Sequence, residues 1–135
     1  MIRIIGLLGA ALLAFALSAC GKPFRAPPAN FEMWQKAGAS NLEIQKAVME
    51  CGYKTPGYGF EEKVIDRNSY ALQQLCMQKN GFIYDRREKT FCRHYPSLDA
   101  CKPENVGAIP DRDINKRLNS PFCKQRVHAN YPECK

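Results

Sequence analysis

The chain is 135 residues long, with 20 Lys and Arg, 13 Asp and Glu, a formal net charge of +7 and seven cysteines. That length excludes two comfortably sized domains and leaves room for one hydrophobic core. The basic balance points to acidic partners such as lipid phosphates, wall carboxylates or nucleic acid, although charge alone identifies no ligand.

The N-terminus is a basic segment, Met1-Ile2-Arg3, then an apolar run from Ile4 to Leu17, then the small residues Ser18 and Ala19 before Cys20. An apolar run of about 14 residues falls short of the roughly 20 that a membrane-spanning helix requires. The order of the segments is that of an export signal. Leu17-Ser18-Ala19-Cys20 resembles a lipobox, the processing site of bacterial lipoproteins. The resemblance implies a signal peptide over residues 1–19, cleavage before Cys20, and acylation of Cys20 with palmitate-type chains. Gly21 lacks the aspartate that retains such proteins at the inner membrane of enteric bacteria, which implies an outer-membrane address on the periplasmic or the surface side. Removal of Arg3 leaves 19 basic residues against 13 acidic ones, a net side-chain charge of +6.

Assigning Cys20 to the lipid leaves Cys51, Cys76, Cys92, Cys101, Cys123 and Cys134. Six cysteines in an exported domain predict three disulfides, with 15 connectivities open on paper.

Lys22 to Asn30 contains Pro23, Pro27 and Pro28, shows no apolar periodicity and reads as an extended tether. With Cys20 it forms a lipidated tether, residues 20–30, whose reach is about 25–30 Å. A single domain is placed at 31–135, helical over 31–90 and cysteine-looped over 91–135. Phe31 to Trp34 reads as a short strand or as a loop packing back on the core. Ser40 with Glu43 forms a capping box that starts a helix from about Asn41 to Cys51. Ile44, Ala47, Val48 and Cys51 share one face, and Gly52 supplies a left-handed C-terminal cap. The loop Tyr53 to Phe60 carries three aromatic rings, either as an exposed contact surface or as a shield for the disulfides.

A second helix is predicted from Arg67 to Lys79, capped by Asp66 or Asn68 and ended at Asn80-Gly81. Leu72, Leu75, Cys76 and Lys79 repeat the helical spacing with Ala71 alongside, and Ile44, Val48, Leu72 and Leu75 are expected to form the seam between the helices. Each helix carries a cysteine on its apolar face near the C-terminal end, so Cys51 is expected to pair with Cys76. Phe82-Ile83-Tyr84 and Thr90-Phe91-Cys92 flank the charged turn Asp85 to Lys89 and are expected to form a small hairpin. Beyond it the chain echoes itself. Phe91-Cys92-Arg93, Tyr95-Pro96 and Cys101 are answered by Phe122-Cys123-Lys124, Tyr131-Pro132 and Cys134. The echo predicts two local loops, Cys92–Cys101 and Cys123–Cys134. Between them Pro103 to Pro121 is mostly loop, with a short helix from Asp111 to Leu118. The fold class is therefore small, disulfide-rich and mainly α with loops and a short β-hairpin.

No catalytic residue is assigned. The six paired cysteines offer no thiolate, and there is no C-x-x-C redox pair or haem-attachment motif. A zinc site would have to use Cys92, His94, Cys101 and His128, whose spacing fits no familiar pattern and whose thiols the disulfides claim. No metal or cofactor is expected. His94, with Ser97 and Asp99 nearby, lacks a nucleophile turn, and the adjacent carboxylates of Glu61-Glu62 lie on different faces of any regular element. The basic residues Arg86, Arg87, Lys89, Arg93, Arg112, Lys116, Arg117, Lys124 and Arg126 lie among Phe91, Tyr95 and Phe122. For nucleic acid this predicts only unspecific, salt-sensitive affinity. Acidic lipid head groups, wall polymer or an envelope protein suit an exported chain better, and the bases also read as a solvated surface with no dedicated ligand.

Trp34-x-Lys36-x-Gly38-x-Ser40 leading to Cys51-Gly52-Tyr53, and Cys76-Met77 followed by Gly81-Phe82, resemble short cysteine-rich lipoproteins of Gram-negative bacteria. That resemblance covers about 50 residues, stops short of the loops from Cys92 onward, and implies a disulfide-linked helical module beside a membrane. The expected function is a non-enzymatic, membrane-anchored envelope lipoprotein that binds a macromolecule through a basic surface. The alternative is a small exclusion or inhibitor lipoprotein that blocks a receptor, a conjugation channel or a lytic enzyme.

Overall fold

The computed structural model describes residues 26–58, 66–85 and 89–135. The residues read as an export segment and lipobox, including Cys20, together with Gly21 and the tether as far as residue 25, lie outside the described residues, as do Phe60, Glu61-Glu62 and Arg86-Arg87. Within them the chain is mainly helical with loops, a two-stranded antiparallel sheet and three disulfides.

The first helix, α1 (Asn41–Glu50), begins where Ser40 Oγ accepts the Glu43 N–H at 3.2 Å. Only that half of the expected capping box is used for capping, because the Glu43 carboxylate is turned to Arg112. Ile44, Ala47 and Val48 recur at helical spacing and are buried with Met49. At its end Gly52 takes φ +102°. Its N–H donates to the Met49 carbonyl at 3.0 Å, and the Tyr53 N–H donates to the Val48 carbonyl at 3.0 Å. This pair of bonds is the Schellman arrangement, which satisfies the last carbonyls of the helix. The second helix, α2 (Arg67–Lys79), is capped by Asp66, whose carboxylate accepts from the Ser69 N–H and hydroxyl at 3.0 and 3.1 Å. It closes in the same way, with Gly81 at φ +80° and the Phe82 N–H donating to Met77 at 3.1 Å. Tyr53 and Phe82, each just past a helix end, are both carried into the core.

Cys51 and Cys76 are bonded, with their Cα atoms 5.6 Å apart. The predicted seam is corrected in one respect. Ile44 and Val48 are buried, but Leu72 and Leu75 are only half-buried and stand outside the core cluster. The buried positions of α2 are Ala71, Gln74, Cys76 and Met77. The tail explains the rotation, since α2 packs against it as well as against α1. Gln74 Oε1 accepts the Phe91 N–H at 2.6 Å, and Asn68 Oδ1 accepts the Ala100 N–H at 2.7 Å.

The expected hairpin does not form. Strand β2 (Ile83–Tyr84) pairs antiparallel with strand β1 (Trp34–Gln35), Trp34 opposite Tyr84 and Gln35 opposite Ile83. The Trp34 ring meets Tyr84 edge-on at 4.9 Å and is buried among the core residues. An aromatic cross-strand pair of this kind outweighs a local turn with little to bury. Phe91–His94 instead winds into the short helix α3. The folded part also starts earlier than expected. Ala29 is buried, the Asn30 N–H donates to the Gly57 carbonyl at 2.9 Å, and Asn30–Met33 forms a 3-10 turn before β1. The segment assigned to the tether therefore ends in contact with the loop after α1.

In the tail, α4 (Ile114–Leu118) is shorter than predicted, because Asp113 serves as its cap, accepting the Asn115 N–H at 2.8 Å. Cys92–Cys101 and Cys123–Cys134 are bonded as the echo predicts. The tail is no appendage. The Asp113 N–H donates to Glu50, the Phe122 N–H to Lys54, and Cys123 and Cys134 belong to the core cluster.

Candidate interaction surface

Two residues of the predicted basic surface are turned inward. Arg117 of α4 is buried, and its Nε donates to Glu50 Oε1 at 2.9 Å. Its Nη1 donates to the main-chain oxygens of Glu133 and Lys135 at 3.0 and 2.6 Å. Half-buried Arg112 reaches the other Glu50 oxygen at 2.7 Å and Glu43 Oε1 at 2.7 Å. Burial opposes the charge on Arg112, but its hydrogen bonds to Glu43 and Glu50 outweigh that and raise its pKa. The last residue of α1 is thus gripped by two guanidinium groups from the tail, and Arg117 ties α4 to the closing 3-10 turn Pro132–Cys134. Nothing in the local sequence marks Arg117 as buried. The usable signal is Glu50, a carboxylate beside the buried stripe of α1 that needs a cation.

The aromatic side chains expected to interleave with the bases are also partly consumed inside. Tyr53, Tyr70, Phe91 and Tyr95 form a continuous ladder, with ring centroids 5.9, 4.9 and 4.9 Å apart at successive steps. Arg67 lies over the outer ring, Tyr95, at 5.0 Å. Burial, and then the neighbouring Tyr70 and Tyr84, push the Tyr53 phenol well above its ordinary range. Phe122 stacks on His128 at 4.0 Å, and His128 Nδ1 lies 3.0 Å from the Phe122 carbonyl. Of the loop after α1, Tyr53 is a core residue and Tyr58 is exposed.

What remains outward is a mixed surface. Lys89, Arg93, Lys116, Lys124 and Arg126 are exposed. Ile114, Leu118, Val127 and Tyr131, in the same C-terminal stretch as three of these cations, are exposed large apolar side chains. The loop that bears Val127 and Tyr131 is held by successive turns, in which Gln125, His128, Tyr131 and Cys134 each donate a main-chain N–H to the residue three before. Its disulfide and the Arg117 bonds fix both of its ends.

The structure does not bring the remaining candidates into one site. His94 is exposed beside Tyr95, and His128 is occupied by Phe122. The Asp99 carboxylate accepts from Lys102 at 2.6 Å. Cys92 and Cys101 are bonded to each other, so in this state neither offers a thiolate to a metal. Two open grooves flank the sheet, one of about 410 Å³ between Phe31, Trp34 and Ile44 and one of about 700 Å³ between Phe82, Tyr84 and Arg93. Among the described residues no helix is long and apolar enough to cross a membrane. No family model, no curated protein and no solved structure matches the chain.

Proposed function

We propose that the protein is a non-enzymatic envelope lipoprotein, anchored in the outer membrane through acylated Cys20, that binds an acidic macromolecule with its C-terminal surface. The observation that carries the binding role is the arrangement around α4. The cation Arg117 is spent on Glu50 inside, while the apolar residues Ile114 and Leu118 stay outside on the same short helix as exposed Lys116. A fold that needed α4 only for stability would bury its aliphatic side chains and expose its arginine. The anchoring role rests on the lipobox residues Leu17 to Cys20. Six cysteines closed into three disulfides suit the oxidising space outside the inner membrane.

Growth with a labelled fatty acid tests the anchor. The wild-type chain takes up label and the Cys20→Ala variant does not, while label persisting in that variant would overturn the lipobox reading. Cross-linking in intact cells from a photoreactive residue at position 126 tests the surface. A specific adduct is expected there and is expected to be lost on high-salt treatment before irradiation.

A further inference from the structure

Helix α4 is built inside out. Arg117 is 3% exposed, whereas Ile114 and Leu118, one turn apart on one flank, are 53% and 43% exposed. The disulfide loop that follows repeats the composition, with Val127 at 71% and Tyr131 at 44% exposure. From Ile114 onward five basic residues stand against one acidic residue, Glu133. Arg117 is neutralised by Glu50, which leaves Lys116, Lys124, Arg126 and Lys135 facing solvent.

A partner for this segment has to accept aliphatic side chains and cations together. Wall polymer supplies carboxylates but no apolar layer. Single-stranded nucleic acid would draw on a row of free aromatic faces, whereas Phe91 meets Tyr70 edge-on and Phe122 is stacked on His128, leaving Tyr131 as the exposed ring of this segment. The interface of an anionic bilayer takes both kinds of side chain, aliphatic groups below the head groups and lysines or arginines among the phosphates, with tyrosine at the boundary. The tether brings the two together. Eight residues separate Cys20 from buried Ala29, a reach of at most about 30 Å when extended. That reach is enough to hold the domain just clear of the bilayer and short enough to keep its surface within about 30 Å of the head groups.

We propose that Ile114 to Tyr131 is a membrane-docking surface that seats the domain on the anionic phospholipid head groups of the bilayer holding Cys20. This rests on the lipoprotein reading and names the acidic partner. Docking is electrostatic at first contact, so salt weakens it, and the exposed aliphatic side chains complete it.

The test uses the full acylated protein reconstituted in phosphatidylcholine vesicles with and without phosphatidylglycerol. Lysines are acetylated with a membrane-permeant ester, and each is followed by mass spectrometry, which also confirms the lipid on Cys20. Modification of Lys116 and Lys124 is expected to slow several-fold when phosphatidylglycerol is present and to recover at high salt, while Lys36 and Lys102 react equally in both. In the double variant Lys124→Glu, Arg126→Glu, whose substitutions are exposed, the difference at Lys116 is expected to vanish. Equal rates at Lys116 and Lys124 in both vesicles would overturn the proposal. The same labelling in intact cells then separates it from the broader reading. Protection in cells but not in vesicles means that another acidic macromolecule covers the surface, and lipid docking alone falls. Free reaction in both removes the binding surface as well.

Discussion

Removing the Glu50 charge would leave buried Arg117 and half-buried Arg112 without the carboxylate they share. The net value of a buried ion pair is modest, but stranding one partner typically costs about 3–5 kcal/mol. Glu50→Gln is therefore expected to lower the unfolding free energy in urea by about 3–5 kcal/mol. Arg112→Gln, at the more exposed end of the network, should cost about 1 kcal/mol. Equal losses would mean that burial does not set the strength of this network. Tyr53 makes the molecule sensitive at the alkaline end. Its phenol stays protonated in the folded protein because burial, and then Tyr70 and Tyr84, raise its pKa, whereas the unfolded chain ionises near pH 10. Above that pH the unfolded state gives up its proton first, so stability falls as pH rises. Tyr53→Phe should flatten the fall of melting temperature above about pH 10. A curve parallel to wild type would assign alkaline unfolding to another group.

The two long helices end by one device, and its failure should be measurable at a single position. Gly52 sits at φ +102° with Gln73 beside it, and its carbonyl accepts from Gln73 Nε2 at 3.0 Å. A β-carbon there meets only the flexible Gln73 side chain, so the penalty is backbone strain of about 1–2 kcal/mol for Gly52→Ala. Thermal denaturation checks it, and an unchanged midpoint would show that the cap contributes nothing. These ends were legible in the sequence because glycine, the caps Ser40 and Asp66, and the 3.6-residue period all act within a few residues of one another. The disulfide pairs were legible for related reasons, through the placement of Cys51 and Cys76 on their helices and the repeated Phe-Cys-base pattern. The sheet was not, since Trp34 and Tyr84 are fifty positions apart and a charged turn offered β2 a nearer strand. Nor was the inversion of α4. An arginine in a five-residue helix reads as surface until Glu50, 67 residues away, is known to face it. The expected basic surface was too large in membership, with Arg112 and Arg117 spent on Glu43 and Glu50.

For the molecule as a whole, loop length and burial make different forecasts about the two small disulfides. On chain entropy alone the Cys92–Cys101 and Cys123–Cys134 loops, of 9 and 11 residues' separation, are each worth about 2.7 kcal/mol. Burial separates them. Cys123 and Cys134 lie in the core, with Cys123 Sγ 3.9 Å from Met49 Sδ, whereas Cys92 and Cys101 are half-buried. Replacing Cys123 and Cys134 together by alanine should therefore lower the melting temperature more than the same exchange at Cys92 and Cys101. Equal drops would reduce both bridges to loop closure. The order of the three pairs along the chain has a consequence for biogenesis. Each cysteine bonds to the next one described, 51 to 76, 92 to 101 and 123 to 134, so no bridge spans another. On the proposed export route the chain would pass a translocon N-terminus first and could oxidise each pair as its second thiol emerges, before the next pair arrives. Joining neighbours in order of appearance yields the native set without reshuffling. Cells lacking thiol oxidase activity should fail to accumulate the protein, while cells lacking only disulfide isomerase activity should hold it at wild-type levels by immunoblot.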